Sequence, residues 1–276
     1  MKNNKLDYKK KNFKTNFKFD TKTTYFSKEL ITLKKHTRDY LEYGGFAEIA
    51  KKEDKFSKLE LLKTYFELYI YKDLSKRWKI DNPDHLITII KKIKENIGNE
   101  LNPNAIYEKL VYLNTPISVK TTYNYVTFLK NVFLISELSI YRKSFKVREA
   151  KKKYYFLDNG FLKLFEIDSD YGRKLENTVY TELIKQKKDV YYWKNKKDQE
   201  CDFVVKDKDK ITELIQVTYE FNNDSKSREI LGITQAMDYF NCNTGTIITL
   251  EQEDKVVIDN KTIEVIPLYK WLLRWE

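Results

Sequence analysis

The chain has 276 residues, of which 41% are hydrophobic and 15% aromatic, enough apolar material for packed cores and too much for wholesale disorder. A formal net charge of +11 invites an acidic partner such as nucleic acid, while the two cysteines, Cys201 and Cys242, lack the spacing of a zinc site or a disulfide framework. The longest apolar run, Val132 to Ile140, is broken by Ser136 and Glu137 and falls short of the ~18 residues of a membrane span; no secretory signal is read behind the lysine-rich start, so a cytoplasmic chain without a membrane partner is expected.

Residues 1–24 are lysine-rich without apolar periodicity and read as a basic flexible arm, and residues 25–81 read as a helical linker. From 82 to 160 the pattern is three helices and two strands. Leu86, Ile89, Ile90, Ile93 and Ile97 give a first amphipathic helix ending at Gly98; Ala105, Ile106, Leu110, Val111 and Leu113 give a second, opened by Asn102-Pro103. Ser118 is a suitable N-cap for a third, from Val119 to about Val132. Phe133 to Tyr141 and Lys153 to Leu157 supply two strands with a basic loop between them. Three helices followed by a strand pair is the plan of a winged helix, in which the third helix enters the major groove by its N-terminal residues. Here these are Lys120, Thr121, Thr122 and Asn124, with Arg142, Lys143 and Lys146 in the wing.

The distribution of charge bears on that expectation. Residues 1–80 carry +10, residues 81–170 carry +3 and residues 171–276 carry −2. Within the middle part, nine basic residues between Lys120 and Lys153 face only Glu137 and Glu149, a candidate phosphate-facing surface. The other reading is compositional: seven of the 52 basic residues are arginine, and lysine-rich bias alone would fill solvated faces.

Residues 161–276 read as an α/β sandwich. Leu175, Val179, Leu183 and Ile184 place Glu176 on a helix beside a buried stripe, and Val190–Trp193, Phe203–Val205 and Ile211–Val217 alternate as strands. A helix follows from Ser225, its expected N-cap, to Phe240, with Ile230, Leu231, Ile233, Ala236, Met237 and Phe240 inward. Thr246–Leu250 is a further strand, Ile263–Ile266 an edge strand, and Leu268–Trp275 a closing helix. The fold class expected for the whole chain is therefore mixed α/β.

Glu176, then Glu200-Cys201-Asp202-Phe203-Val204-Val205, then Leu214-Ile215-Gln216-Val217-Thr218, resembles the PD-(D/E)XK nuclease superfamily, whose signature is a helix Glu, a strand Asp and a following (D/E)-x-K. The resemblance implies a restriction-endonuclease-like domain with Glu176, Asp202 and Gln216 as catalytic residues and ligands of a Mg²⁺ ion. Two positions depart from it. Gln216 replaces an acid, and Thr218 replaces the lysine that orients and helps deprotonate the attacking water; Lys226, Arg228 or Lys174 could substitute from elsewhere. The plainer reading is that Glu176 and Asp202 cap and solvate a sheet edge.

A second resemblance spans residues 25–275. Tyr40-Leu41-Glu42-Tyr43-Gly44-Gly45-Phe46-Ala47-Glu48, Leu61-Leu62-Lys63-Thr64-Tyr65-Phe66, Tyr71-Lys72-Asp73-Leu74, Tyr154-Tyr155-Phe156-Leu157-Asp158-Asn159-Gly160, Leu175-Glu176-Asn177 and Ile215-Gln216-Val217 occur in the order seen in the archaeal-type AAA ATPases of the AAA+ superfamily. It implies a lid-like linker at 25–81, a winged helix at 82–160 and a nuclease-like domain at 161–276, in which Gln216 is usual and cleavage is lost. None of the seven glycines starts a G-x-x-x-x-G-K-[ST] loop, so no ATP site is expected. The expected function is a DNA-associated accessory protein with an inactive nuclease-like domain. A Mg²⁺-dependent DNA endonuclease and the protein-interaction module of a split ATPase, whose motor is a separate chain, are the alternatives.

Overall fold

The computed structural model describes residues 28–80, 82–165 and 170–275, so the expected arm at 1–24 lies outside the described residues. The linker consists of α1 (Lys28–Tyr43), α2 (Ala47–Ala50), α3 (Lys55–Glu67), a π-helical stretch (Leu68–Ser75) and α4 (Lys76–Trp78). Asp54 caps α3 by accepting from the Ser57 N–H at 2.8 Å. In the π-helical stretch the Ser75 hydroxyl donates to the Ile70 carbonyl five residues back, satisfying an acceptor that the wider winding displaces.

The next part holds the expected three helices and strand pair: α5 (Pro83–Glu95), α6 (Pro103–Tyr112), α7 (Val119–Asn131), β1 (Ile135–Ser139), α8 (Phe145–Ala150) and β2 (Lys152–Phe156). Asn82 and Asn102 cap α5 and α6 ahead of prolines whose missing N–H would have had no intrahelical partner, and Ser118 caps α7 through the Thr121 N–H. Two expectations change here. The segment between the strands is a short helix capped by Ser144, and on α6 only Ile106 and Leu110 are buried, while Val111 and Leu113 face solvent.

After α9 (Asn159–Lys163) come α10 (Tyr171–Lys185), β3 (Asp189–Lys194), β4 (Glu200–Asp207), β5 (Lys210–Val217), α11 (Asn223–Phe240), β6 (Thr244–Thr249), β7 (Asp254–Ile258), β8 (Lys261–Pro267), α12 (Leu268–Leu272) and a 3₁₀ turn at Leu273–Trp275. The six strands form one mixed sheet in the order β3-β4-β5-β6-β8-β7, with β6 parallel to both its neighbours. The class is mixed α/β, as expected. Three local readings are corrected. Asn222, not Ser225, caps α11, with Ser225 completing a reciprocal capping box; Leu231 is exposed on that helix. Ile263–Ile266 is interior, because β7 covers it as the edge strand.

One buried apolar cluster runs from Leu41 on α1 through Ile89, Leu129 and Phe156 to Val179, Phe203 and Trp271, so the linker, the helical part and one face of the sheet share a core. The other face packs under α11 through Cys201, Val204, Ile233, Met237 and Ile247. Polar groups lock the same junction. Asn177 on α10 accepts from the Phe156 N–H and donates to the Phe156 carbonyl, each at 2.8 Å, and donates to Asn159 Oδ1 at 2.7 Å. Asn159 donates in turn to the carbonyls of Leu41 and Lys174. Asp158 accepts from the N–H groups of Gly45 and Gly160; Gly44 (φ +79°) passes so close that a Cβ there would lie 1.7 Å from Asp158 Oδ1.

Asn177→Ala would leave the Phe156 amide and carbonyl without their buried partners. We expect a loss of at least ~2 kcal/mol in urea unfolding, with a single transition retained because the core is shared; two separated transitions would contradict that core.

Candidate functional site

Glu176 lies in the second turn of α10, Glu200 and Asp202 on β4, and Gln216 near the end of β5. A β-bulge aims Asp202: Tyr191 pairs with Val204 and Trp193 with Cys201, so Asp202 and Phe203 together oppose Tyr192. Asp202 Oδ2 accepts from the Val217 N–H at 2.8 Å, and its own N–H donates to Gln216 Oε1 at 3.3 Å. The Gln216 amide donates to Glu229 Oε2 at 2.7 Å, and Glu229, buried on α11, binds the Arg228 guanidinium.

The residue that sequence reasoning missed is Lys153. Counted above within a phosphate-facing cluster, it is only 1% exposed. From β2 its ammonium reaches Glu200 Oε1, with which it pairs directly, lies 3.7 Å from Glu176 Oε1, and sits 5.1 Å from the centre of the Tyr192 ring. The Tyr155 hydroxyl, two residues along β2, donates to Glu176 Oε1 at 2.6 Å. On the far side of that carboxylate, Gly98 (φ +77°) comes so near that a Cβ would lie 2.5 Å from Glu176 Oε2. A lysine opening the run Tyr154–Leu157 gave no periodic signal of where its side chain goes; only the pairing of β2 fixes that.

The electrostatics follow from this enclosure. Burial, reinforced by Glu176, pushes the Asp202 carboxyl well above the usual carboxylate range, with Lys153 opposing and Glu200 and Glu229 adding to the rise. Burial works to lower the pKa of Lys153, but Glu176, Glu200 and Asp202 outweigh it and hold the ammonium's pKa above its ordinary value. Burial likewise raises the Tyr155 hydroxyl and the Cys201 thiol, which disfavours the Cys201 thiolate.

This donor set suits an ammonium and does not fit a divalent cation. A Mg²⁺ ion wants about six oxygens at short range and keeps several waters. Here Gln216 Oε1 and Asp202 Oδ2 are engaged by backbone N–H groups, and Glu176 and Glu200 face Lys153. The proposed replacements for the missing lysine are engaged too: Lys226 pairs with Asp254, Arg228 with Glu229 and Lys174 with Glu42. Thr218 donates its hydroxyl to the Glu220 carbonyl at 3.0 Å.

The residues expected to meet DNA differ in exposure. Lys120 and Asn124 are exposed on α7, and Lys143 and Lys146 on and beside α8. Thr121 is half-buried at the cap. Thr122 is fully buried with its hydroxyl on the Ser118 carbonyl, so it faces the core and not a groove. The Arg142 guanidinium binds the carbonyls of Tyr141 and Lys194. In the same cluster Lys130 and Lys152 pair with Glu137, and Lys151 with Glu100, leaving Lys120, Arg142, Lys143, Lys146 and Arg148 outside the ion pairs found among the described residues, the two arginines bonded to backbone carbonyls.

Residues 171–271 match the family model DUF4143, a domain found in AAA-ATPase-like proteins, and residues 34–170 match the family described as Domain of unknown function (DUF8612). The chain is 32% identical over 279 residues to an uncharacterized protein of Methanocaldococcus jannaschii, covering 96% of this chain and 62% of that protein. It is 27% identical over 244 residues to an uncharacterized protein of Haemophilus influenzae, covering 86% of this chain and 57% of that protein. The chain thus spans about three-fifths of the length of these relatives. The two family matches abut immediately before α10, so Lys153 belongs to one and its carboxylate partners to the other.

Lys153→Met should lower unfolding stability by ~3 kcal/mol, because it leaves the half-buried Glu176 and Glu200 without their counter-charge; a loss under ~1 kcal/mol in urea denaturation would contradict the pairing. Asp202 gives a pH signature. Its raised pKa means that the folded state binds the proton more tightly than the unfolded chain. The contribution of this group is therefore most favourable below the ordinary value of about 4 and declines as pH rises through the raised value. Asp202→Asn, which keeps an acceptor for Val217, should flatten that decline in urea midpoints measured at successive pH values.

Proposed function

We propose that this chain is the DNA-associated part of an AAA-ATPase-like protein, a lid-like linker and a winged helix joined to a nuclease-like module that does not cleave. The observation that carries the reading is the Lys153 ammonium between Glu176 and Glu200, because it separates the nuclease-like layout from the chemistry of that layout. Without a water-activating lysine at Thr218, and with Gln216 holding Glu229 in place of an ion, Glu176, Asp202 and Gln216 act as structural groups.

DNA association rests on the N-terminal part of α7 and on α8, where Lys120, Asn124, Lys143 and Lys146 are exposed. The sequence contains no P-loop, so nucleotide hydrolysis belongs to other parts of the relatives' greater length or to a separate chain. Val119 and Tyr123 on α7, with Val111, Tyr112 and Leu113 at the end of α6, are exposed apolar residues that favour a protein partner as the second reading.

Incubation with Mg²⁺ or Mn²⁺ should leave plasmid and branched DNA intact; cutting that disappears in Asp202→Ala would overturn the non-cleaving assignment. For binding, fluorescence anisotropy against salt should give a log-log slope of roughly −0.9 per contacted phosphate, and Lys120→Ala with Lys143→Ala should flatten it by about one to two units. An unchanged slope would move the α7 face to the protein-partner reading.

A further inference from the structure

We infer that Lys153 is the resident cation of the acid centre, standing where the nuclease-like layout holds a divalent metal, and that it turns the centre into a clamp between the two family-matched regions. The inference rests on reading Glu176, Asp202 and Gln216 as that layout, and deepens it by naming what closes the site.

Three observations converge on it. The first is the way in: β2 is fixed on both sides, by its pairing with β1 and by the Glu100–Lys153 bridge, where the Leu101 N–H donates to the Lys152 carbonyl at 2.8 Å. The Lys153 side chain therefore enters the centre from a strand that has no freedom to slide. The second is the set of partners. An ammonium has three donors, and here two carboxylates and an aromatic face surround it. The third is the floor of the centre. Tyr192 carries that face at the point where the sheets meet, since the Tyr141 N–H donates to the Tyr192 carbonyl at 2.7 Å and the β4 bulge sets Asp202 opposite Tyr192.

A divalent ion bound to Glu176 and Asp202 would share this enclosed volume with the ammonium. Two like charges at that separation in a buried site repel strongly, so metal binding and the Lys153 pairs exclude each other. Gly98 and the Tyr155 hydroxyl lie against the Glu176 carboxylate as well. Lys153 thus supplies the positive charge permanently, from within the chain.

The test is a Mn²⁺ titration of the full chain followed by electron paramagnetic resonance, on the wild type, Asp202→Asn, Lys153→Met and the double variant. At about 1 mM Mn²⁺ the wild type should take up no ion that Asp202→Asn removes, and Lys153→Met should bind at least about tenfold more tightly than the wild type, losing this in the double variant. A wild-type Mn²⁺ site abolished by Asp202→Asn would overturn the inference, as would a folded Lys153→Met that binds no better than the wild type. Should Lys153→Met fail to fold, the comparison of wild type with Asp202→Asn decides alone. DNA plays no part in this readout, so a failure of DNA association leaves it standing.

Discussion

The structure turns on a single charge taken out of water. Moving an ammonium from solvent into a protein interior carries a penalty of several kcal/mol even after relaxation, and Lys153 is offset by Glu200, Glu176 and the Tyr192 ring. Those partners sit on β4, α10 and β3, while the lysine sits on β2. The compensation exists only while the strand pair is docked on the six-stranded sheet, so the relative position of the two regions is set by electrostatics as well as by the shared apolar core. The same docking brings the carboxyl groups of Glu176 and Glu200 toward Asp202, whose own carboxyl burial pushes well above the usual range.

The junction is reinforced from the linker side. Asn159 and Asn177 bind the carbonyls of Leu41, Lys174 and Phe156 and the Phe156 N–H, and Asp158 holds the Gly44-Gly45 turn against α9. The segments that pointed to the AAA ATPases are largely those that make this lock: Tyr40 to Glu48, Tyr154 to Gly160 and Leu175 to Asn177. Their chemistry is that of interlocking backbones, which a glycine without a Cβ and an asparagine with paired donor and acceptor serve equally well. A motif that resembles part of a catalytic centre is here equally part of a joint.

Much of the secondary structure was legible because its signals are local. Asn102-Pro103 at α6, Ser118 at α7 and the alternating runs of β3 to β5 each act within a few residues. What was not legible depends on contacts distant in sequence. The edge strand β7, Asp254 to Ile258, has no buried residue and exists through its pairing with β8. Ser225 and Asn222 are both able caps, and the choice follows from the Glu220 carbonyl, which takes the Ser225 hydroxyl at 2.6 Å. Thr122 lies at the polar start of a helix yet rotates inward, and Lys153 sits in a basic run yet is buried, because strand pairing decides which of three consecutive lysines turns inside.

The account stands or falls on the state and surroundings of that one amine. Nitrogen-15-edited NMR of the lysine side chains, assigned by loss of the signal in Lys153→Arg, measures both. A charged Lys153 ammonium with slowly exchanging protons at neutral pH, and with nuclear Overhauser contacts to the Tyr192 ring, is the result expected. A Lys153 ammonium that exchanges as fast as surface lysines, with no contact to Tyr192, would contradict it.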